Sequence, residues 1–268
     1  MKYYFSLFSK FLPVFLLFFN PAAEAQNKIF HLIAHRGGVV DSTYTENGLP
    51  ALKKAKENKY FMIETDMRVT KDGVLIANHD ATFERYYGLK EKVTDLNWTD
   101  IQKLTSKTDG NTPLKLETVF EFCAKNHMNV MLDTKIEGLD ISVFNQLLII
   151  LDRYNLRKNA LMIGTDESTE FFTGKVKLSC TRIQLEENKR RKDYKPKNYF
   201  LFERPSKITK DDVDWALKNH ILVVAAVNKY HYKNSGNMYK DAKDDCSKMT
   251  SYGIKYFQID SEFAVFLK

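Results

Sequence analysis

The sequence is poor in the residue types on which several special architectures depend. Its 268 residues include only 11 glycines, 6 prolines and 3 cysteines. So little glycine and proline excludes collagen-like and low-complexity chains. Cys123, Cys180 and Cys246 are widely spaced and can form at most one bridge, which excludes a disulfide scaffold. They match no zinc-binding spacing, and we expect them to be small core residues.

Long hydrophobic runs are also missing. The apolar run at residues 11–19 is shorter than the ~20 residues that span a bilayer. Lys2 and Lys10 precede it, and the small-x-small triplet Ala23-Glu24-Ala25 follows it. This order of features is typical of a secretory signal. We predict a signal peptide at residues 1–25, a single barrel domain at residues 26–268, and an exported protein that is periplasmic or secreted.

Acidic residues are the minority among the charged ones. Lys and Arg total 41 against 34 Asp and Glu, giving a formal net charge of +7 at pH 7. The excess favours anionic molecules or membrane surfaces as partners, or it is simply a solvated surface. The run Lys189-Arg190-Arg191-Lys192 allows the same two interpretations, transient contact with an anionic membrane or a solvated loop. We expect no nucleic-acid partner, and the sequence makes no prediction about oligomeric state.

Short apolar segments alternate with helix-like segments along the rest of the chain, which predicts a parallel sheet wrapped in helices. The predicted strands are Phe30–Ala34, Tyr60–Asp66, Gly73–Ala77, Asn129–Asp133, Ala160–Gly164, Lys177–Ile183, Tyr199–Phe202, Ile221–Val227 and Lys255–Ile259. The predicted helices are Gly48–Asn58, Leu116–Asn126, Ile141–Tyr154, Lys210–Asn219 and Tyr239–Tyr252.

One of the nine predicted strands belongs to a hairpin. The turn Thr70-Lys71-Asp72-Gly73 is too short for a parallel crossover, so Gly73–Ala77 must pair antiparallel with the strand before it. Eight parallel strands then remain. They predict a distorted α/β fold of the (β/α)8 TIM barrel type, with an extra β-hairpin strand after strand 2.

Several predicted strands end in charged residues, at the edge where such a barrel places its active site. Glu64 and Asp66 are two positions apart, so they point to the same side of their strand. Neighbouring carboxylates repel each other unless a cation lies between them, and Ca²⁺ or Mg²⁺ prefers oxygen ligands. Asp133 can supply a third carboxylate. The pattern predicts one divalent cation, Ca²⁺ or Mg²⁺, and the alternative is an ordinary Lys or Arg partner.

Two histidines lie at the same strand ends. His35 and His79 suit proton transfer because imidazole titrates near neutral pH. Asp80 either orients an imidazole or caps the following turn. Arg36 and Lys135 are suited to bind a substrate phosphate. Together with the carboxylates, these residues predict a metal-dependent phosphodiester site.

The motifs occur in a characteristic order along the chain. They are His35-Arg36-Gly37, Glu46-Asn47, Glu64-x-Asp66, Thr70-Lys71-Asp72-Gly73, His79-Asp80 and Asp133-x-Lys135, with Gly253-Ile254-Lys255 and Asp260 near the end. This order resembles the glycerophosphodiester phosphodiesterases, a family of PI-PLC-like phosphodiesterase TIM barrels. The resemblance implies cleavage of glycerophosphodiesters to sn-glycerol 3-phosphate and an alcohol. It also implies a metal on the three carboxylates, acid and base roles for the two histidines, and supporting roles for Glu46 and Asn47.

Departures from the family's pattern keep other functions open. Asp133 stands where the family usually has Glu, which resembles the spider-venom-type sphingomyelinases D and favours a phospholipase-D-like attack on lysolipid head groups. Ala225-Ala226-Val227-Asn228 stands where a Trp-Thr-x-Asn stretch is usual, so a barrel that only binds phosphate or polyol ligands is a further alternative. Either histidine can be the acid or the base. Direct attack by water and a cyclic phosphate intermediate both fit.

The signal-peptide hypothesis predicts the N-terminus of the exported protein. We expect cleavage after Ala25, so that the exported chain starts at Gln26, because small residues at 23 and 25 fit the processing site. N-terminal sequencing of the protein from the periplasm or medium tests this. An exported chain that still carries residues 1–25 would contradict it.

Overall fold

The computed structural model describes residues 29–38 and 43–268. The predicted signal peptide lies outside these residues. Among the helices of the described part, none is both long and apolar enough to cross a membrane.

Eight parallel strands form a closed barrel at the centre of the described chain. In chain order, the strands of the structure are β1 (His31–Ala34), β2 (Met62–Val69), β3 (Leu75–Ala77), β4 (Thr82–Phe83), β5 (Leu89–Lys92), β6 (Leu114–Lys115), β7 (Asn129–Thr134), β8 (Leu161–Ile163), β9 (Lys177–Cys180), β10 (Tyr199–Glu203), β11 (Leu222–Val227) and β12 (Tyr256–Ile259). The barrel strands are β1, β2 and β7 to β12, and β1 pairs with both β12 and β2 to close the sheet. The predicted (β/α)8 TIM barrel is confirmed.

The extra strand after strand 2 is present. β3 pairs antiparallel with β2, and Val69 lies opposite Leu75 across the turn. β6 extends the hairpin by pairing antiparallel with β3. β4 and β5 form a separate two-stranded ribbon between the hairpin and β6.

The helices surround the barrel, and they include four that the sequence analysis does not predict. In chain order, the helices are α1 (Leu49–Glu57), α2 (Glu84–Tyr87), α3 (Trp98–Ile101), α4 (Leu116–Lys125), α5 (Ile141–Arg153), α6 (Asp166–Phe172), α7 (Arg182–Asn188), α8 (Lys210–Lys218) and α9 (Met238–Ser251). The predicted helices match α1, α4, α5, α8 and α9 to within two residues at each end. The additional ones are α2, α3, α6 and α7.

The sixth predicted strand, Lys177–Ile183, is too long at its C-terminal end. β9 stops at Cys180 because Thr181 caps α7, and its side-chain oxygen accepts a hydrogen bond from the backbone N–H of Gln184. Ile183 therefore belongs to the helix, where its side chain is exposed. An apolar residue in the first turn of a helix had extended the apparent strand.

The core has two main layers. Inside the barrel, one side chain from each of six strands fills the interior, namely Ile33, Met62, Met131, Leu161, Phe200 and Val224. A larger cluster packs between the strands and the surrounding helices. Cys123, Cys180 and Cys246 are free and buried, in agreement with their expected role as core residues. The interior is thus closed below the charged strand ends, so the chemistry is confined to the mouth.

Candidate active site

The predicted site residues converge at the C-terminal ends of three adjacent barrel strands. Glu64 and Asp66 lie in β2 and Asp133 lies in β7, where the register places Asp66 beside Asp133. His35 follows β1, and His79 follows β3 where the hairpin returns toward the mouth. The antiparallel hairpin is what brings a second histidine to this end of the barrel.

Three carboxylates meet closely enough to share one ion. Glu64, Asp66 and Asp133 each offer an oxygen, and these oxygens lie within 4.8 Å of one another. Glu64 Oε2 accepts a 2.6 Å hydrogen bond from the backbone N–H of Arg36, whereas the buried Oε1 has no partner in the described part of the chain. Burial and the neighbouring Asp66 raise the pKa of Glu64 to about 8. A buried carboxylate oxygen without a donor, next to two further carboxylates, fits a hard divalent cation.

Lys135 is the positive side chain nearest to this cluster. Its Nζ lies 2.7 Å from Asp133 Oδ2 and 3.5 Å from Asp66 Oδ1. Burial lowers the pKa of Lys135, but the two aspartates raise it by more, so the lysine is charged. Burial raises the pKa of Asp133 in spite of this lysine. The lysine partner and the metal-type carboxylate cluster, which the sequence analysis treats as alternatives, occur together, and Lys135 leaves Glu64 Oε1 without a partner.

His35 is paired with an aspartate from the opposite end of the chain. Its Nδ1 lies 2.6 Å from Oδ1 of Asp260, which follows β12. Asp260 is held in turn by the backbone N–H of Lys229, at 2.6 Å from Oδ2. Burial lowers the pKa of His35, but the hydrogen bond to Asp260 and the charge of Glu64 together outweigh this effect and raise the pKa to about 8. His35 is therefore mostly protonated at neutral pH.

His79 has the complementary arrangement. Its Nδ1 lies 2.8 Å from Asp80 Oδ1, and its Nε2 lies 3.0 Å from Nη2 of Arg36. A guanidinium can only donate hydrogen bonds, so Nε2 accepts and the proton of the neutral ring is on Nδ1. Asp80 thus orients an imidazole, one of the two roles expected for it.

Glu46 and Asn47 are hydrogen-bonded to Arg36 and Asp66, two of the predicted site residues, and the resemblance implies such supporting roles. Glu46 is buried and its Oε2 accepts a 3.2 Å hydrogen bond from Nη1 of Arg36. Asn47 donates from Nδ2 to Asp66 Oδ2 at 3.1 Å. A side chain at Gly37, which has a φ of 77°, would place its Cβ 2.5 Å from the Asn47 Cα. Gly37 therefore allows the Glu46-Asn47 segment to lie directly against the turn that carries Arg36.

Two functional residues are absent from the predicted set. Arg85, on α2, donates hydrogen bonds to both Asp80 and Glu46. Asp260 is hydrogen-bonded to His35, although its sequence position predicts only that it belongs to the last strand motif. Arg85 could have been sought as a partner for Glu46 and Asp80, because no cation had been assigned to these two acids. Asp260 could have been found because it directly follows the last strand.

A second group of potential metal ligands is better explained by these ion pairs. Glu46, His79 and Asp80 also offer atoms within 4.8 Å of one another. Arg85 already contacts both carboxylates, and Arg36 contacts Glu46 and His79. Because two guanidinium groups neutralise this group, the cluster of Glu64, Asp66 and Asp133 is the better candidate for a cation.

A cavity of about 370 Å³ opens beside His35 and Arg36, and its lining does not include the three carboxylates, His79 or Lys135. Its walls combine the histidine and arginine of the first motif with tyrosines and polar groups from other loops, namely His35, Arg36, Tyr44, Glu46, Arg85, Tyr86, Thr108, Lys229, Tyr230 and Asp260. A cavity of this size and polarity suits a small hydrophilic ligand.

The sequence matches a known family over most of its length. A model of the glycerophosphoryl diester phosphodiesterase family matches residues 35–254, a span that contains every predicted site residue. The chain belongs to this family.

Two mammalian relatives illustrate the similarity. Mouse glycerophosphodiester phosphodiesterase 1 is 31% identical over 112 residues, which cover 38% of this chain and 33% of the mouse protein. Rat lysophospholipase D GDPD1 is 30% identical over 152 residues, which cover 50% of this chain and 45% of the rat protein. The chain thus spans between a third and a half of the length of these curated relatives.

Solved structures share the fold at lower identity. A glycerophosphoryl diester phosphodiesterase from Parabacteroides distasonis has a TM-score of 0.72 and 18% identity, with 91% of this chain and 87% of that chain covered. A phosphodiesterase from Oleispira antarctica, in complex with the product sn-glycerol-3-phosphate, has a TM-score of 0.69 and 16% identity, with 88% and 95% covered. At these identities the comparison establishes the barrel fold.

The two clusters lead to opposite expectations for metal binding. We expect Asp66→Asn to weaken Ca²⁺ or Mg²⁺ binding by more than the roughly 10- to 100-fold that changes behind a metal site cost. Asp80→Asn, the matched control in the second cluster, should leave the affinity near that of the wild type. Isothermal titration calorimetry measures both. A large loss in Asp80→Asn with none in Asp66→Asn would place the ion at the other cluster.

Proposed function

We propose that the protein is a metal-dependent phosphodiester hydrolase that cleaves glycerophosphodiesters to sn-glycerol 3-phosphate and an alcohol. One observation carries the proposal: a carboxylate cluster suited to a divalent cation lies at the same barrel mouth as two histidines, and each histidine is hydrogen-bonded to its own aspartate. A barrel that only bound phosphate or polyols would not need two such proton carriers. The family match and the product named for the Oleispira antarctica phosphodiesterase support the same substrate class.

Glu64, Asp66 and Asp133 would hold the cation, either Ca²⁺ or Mg²⁺. Such an ion, when bound, supplies positive charge to the non-bridging oxygens of the phosphate. Arg36 and Lys135 would add to this, because both lie at the edge of the carboxylate cluster and carry charges suited to an anion. On arrival of a substrate, the phosphate competes with His79 for the Arg36 guanidinium.

The hydrogen bonds support different proton-transfer roles for the two histidines. His79 is the base, because its Nε2 is a lone pair facing Arg36 and its Nδ1–H is fixed on Asp80. His35 is the acid, because the carboxylate of Asp260 on Nδ1 favours the protonated imidazole. His79 would take the proton of the attacking hydroxyl, and His35 would give a proton to the leaving alkoxide.

A small substrate panel tests the proposed activity. Residues 26–268 are assayed on water-soluble glycerophosphodiesters and on lysophospholipids, each with Ca²⁺, with Mg²⁺ and with EDTA. We expect release of sn-glycerol 3-phosphate from the soluble substrates with a divalent ion, and loss of activity with EDTA. Undiminished turnover after chelation would contradict the metal, and no turnover of any phosphodiester would favour a binding-only barrel.

A second candidate is a phospholipase-D-like attack on lysolipid head groups. Asp133 favours it, as does the name of the rat relative, a lysophospholipase D. The basic run Lys189–Lys192 adds no support, since it lies between α7 and β10, at the end of the barrel opposite the mouth. A membrane held by that run would face away from the active site. Preferential turnover of lysophospholipids in the same panel would favour this candidate.

Removing either histidine should remove a proton-transfer step. We expect His35→Ala and His79→Ala each to lower kcat by about 10²–10⁴-fold. His127→Asn is the control, because His127 is exposed in the turn before β7, at the far end of the barrel, and asparagine tolerates its positive φ. Near-normal turnover in either alanine variant would remove that histidine from the catalytic role.

The acid role of His35 predicts the alkaline side of the pH profile. The acid must carry its proton, so kcat/KM should fall as pH rises through the pKa of His35, which the hydrogen bond to Asp260 raises in spite of burial. Asp260→Asn removes the carboxylate that raises the pKa, and we expect the fall to move to lower pH. The profile is measured at saturating metal. An alkaline limb at the same pH in both proteins would assign that limb to another group.

A further inference from the structure

Arg85 connects two carboxylates that belong to different parts of the site. Its Nε donates to Asp80 Oδ2 at 2.7 Å, and its Nη2 donates to Asp80 Oδ1 at 2.8 Å. On the other side, Nη1 donates to Glu46 Oε2 at 2.9 Å, and Nη2 contacts Glu46 Oε1. Four hydrogen bonds use most of the five N–H donors of a guanidinium. Arg85 borders the cavity, yet it has little donor capacity left for a substrate.

The two partners of Arg85, Asp80 and Glu46, are each hydrogen-bonded to a residue with a role in the proposed reaction. Asp80 accepts a hydrogen bond from Nδ1–H of His79, and Glu46 accepts a hydrogen bond from Nη1 of Arg36. The contact between Arg36 Nη2 and His79 Nε2 completes a ring of five side chains. Within the described residues, Arg85 makes no hydrogen bond to His79 or to Arg36.

The ring depends on the charge of Arg85. Without it, Asp80 would keep only His79 and Glu46 would keep only Arg36 as a partner within the ring, and the buried Glu46 would lose its bidentate partner. The hydrogen bonds from His79 and Arg85 hold the pKa of Asp80 well below its usual range despite partial burial. An Asp80 freed from Arg85 could rotate, and the ring of His79 would lose the bond that fixes its tautomer.

We propose that Arg85 is a positioning residue for the hydrolysis, acting through Asp80 on His79 and through Glu46 on Arg36. The inference rests on the proposed function, in which His79 is the base and Arg36 binds the phosphate. In this proposal, α2 supplies Arg85 to the site, and the ribbon of β4 and β5 flanks α2 in the chain.

A double-mutant cycle tests whether Arg85 acts through His79. We expect Arg85→Ala to lower kcat by about 10- to 100-fold with little change in KM, in the range found for residues that orient a catalytic group. In a His79→Ala background only the route through Glu46 and Arg36 remains, so the same substitution should lower kcat by clearly less than in the wild type. If the two losses multiply, Arg85 contributes independently and the proposal is overturned.

Arg157→Ala is the matched control. Arg157 and Arg85 have similar side-chain exposures, 40% and 38%, and each pairs through Nε with an aspartate at 2.7 Å, Asp152 for Arg157. Arg157 lies in the turn before β8, at the far end of the barrel. Its loss should leave kcat unchanged. An equal loss of kcat in both variants would mean that the effect is general destabilisation, which overturns the proposal.

A readout without turnover separates this inference from the proposed function. In ¹⁵N-histidine spectra we expect His79 of the wild type to show the Nδ1–H tautomer, and Arg85→Ala to lose it. Arg85→Lys keeps the charge but not the fork, so partial recovery of the tautomer and of kcat is expected, and this variant also serves if the alanine variant folds poorly. Unchanged His79 signals in both variants would overturn the positioning role. If the wild type cleaves no phosphodiester, the proposed function fails, while the spectra still decide the role of Arg85.

Discussion

Three carboxylates held within a few ångströms of one another in a buried mouth repel each other, and much of the site is arranged around that repulsion. The barrel forces the contact, because β2 and β7 are neighbours and their register sets Asp66 beside Asp133. Lys135 offsets part of the charge and the backbone N–H of Arg36 offsets another part, while burial and the remaining repulsion from Asp66 raise the pKa of Glu64. A divalent cation would satisfy all three groups at once. The protein thus maintains an unfavourable arrangement of its own atoms that a metal would relieve.

The two histidines of the site have the same side chain but different surroundings. Each has an aspartate on Nδ1, which leaves Nε2 as the ring nitrogen for proton transfer. Their second neighbours differ. Glu64 adds negative charge near His35, whereas the Arg36 guanidinium faces His79. The surroundings of His35 therefore favour the protonated ring, while Nε2 of His79 is a hydrogen-bond acceptor, and acid–base catalysis requires such an asymmetry from a pair of identical side chains.

The parts of this structure that depend on local order could be predicted from the sequence. The βα alternation predicted the barrel, the Thr70–Gly73 turn predicted the hairpin, and the charges after each strand predicted the residues of the site. Short helices such as α6 and α7 were missed because seven residues scarcely complete two turns and show little periodicity. The capping pattern at Thr181 was present, but an apolar neighbour concealed it.

The supporting contacts could not be predicted in the same way. Arg85 and Glu46 are separated by 39 residues, and His35 and Asp260 by 225. No spacing rule connects positions so far apart, because what brings them together is the closure of the whole barrel. The resemblance to a family supplied Glu46, Asn47 and the last strand motif, but not the partners that hold them. Residues that touch a substrate leave a local signature more often than the residues that hold them.

The pairing of His35 with Asp260 has a consequence for how the protein becomes active. The two residues follow the first and last strands of the barrel, and they meet only where β1 and β12 join. Every other predicted site residue lies between positions 35 and 135, so the first half of the chain could assemble most of the mouth without the second. The histidine would then lack the carboxylate that sets its protonation. For the proposed hydrolysis, competence would therefore arrive only with the final strand, when the ring of strands is complete.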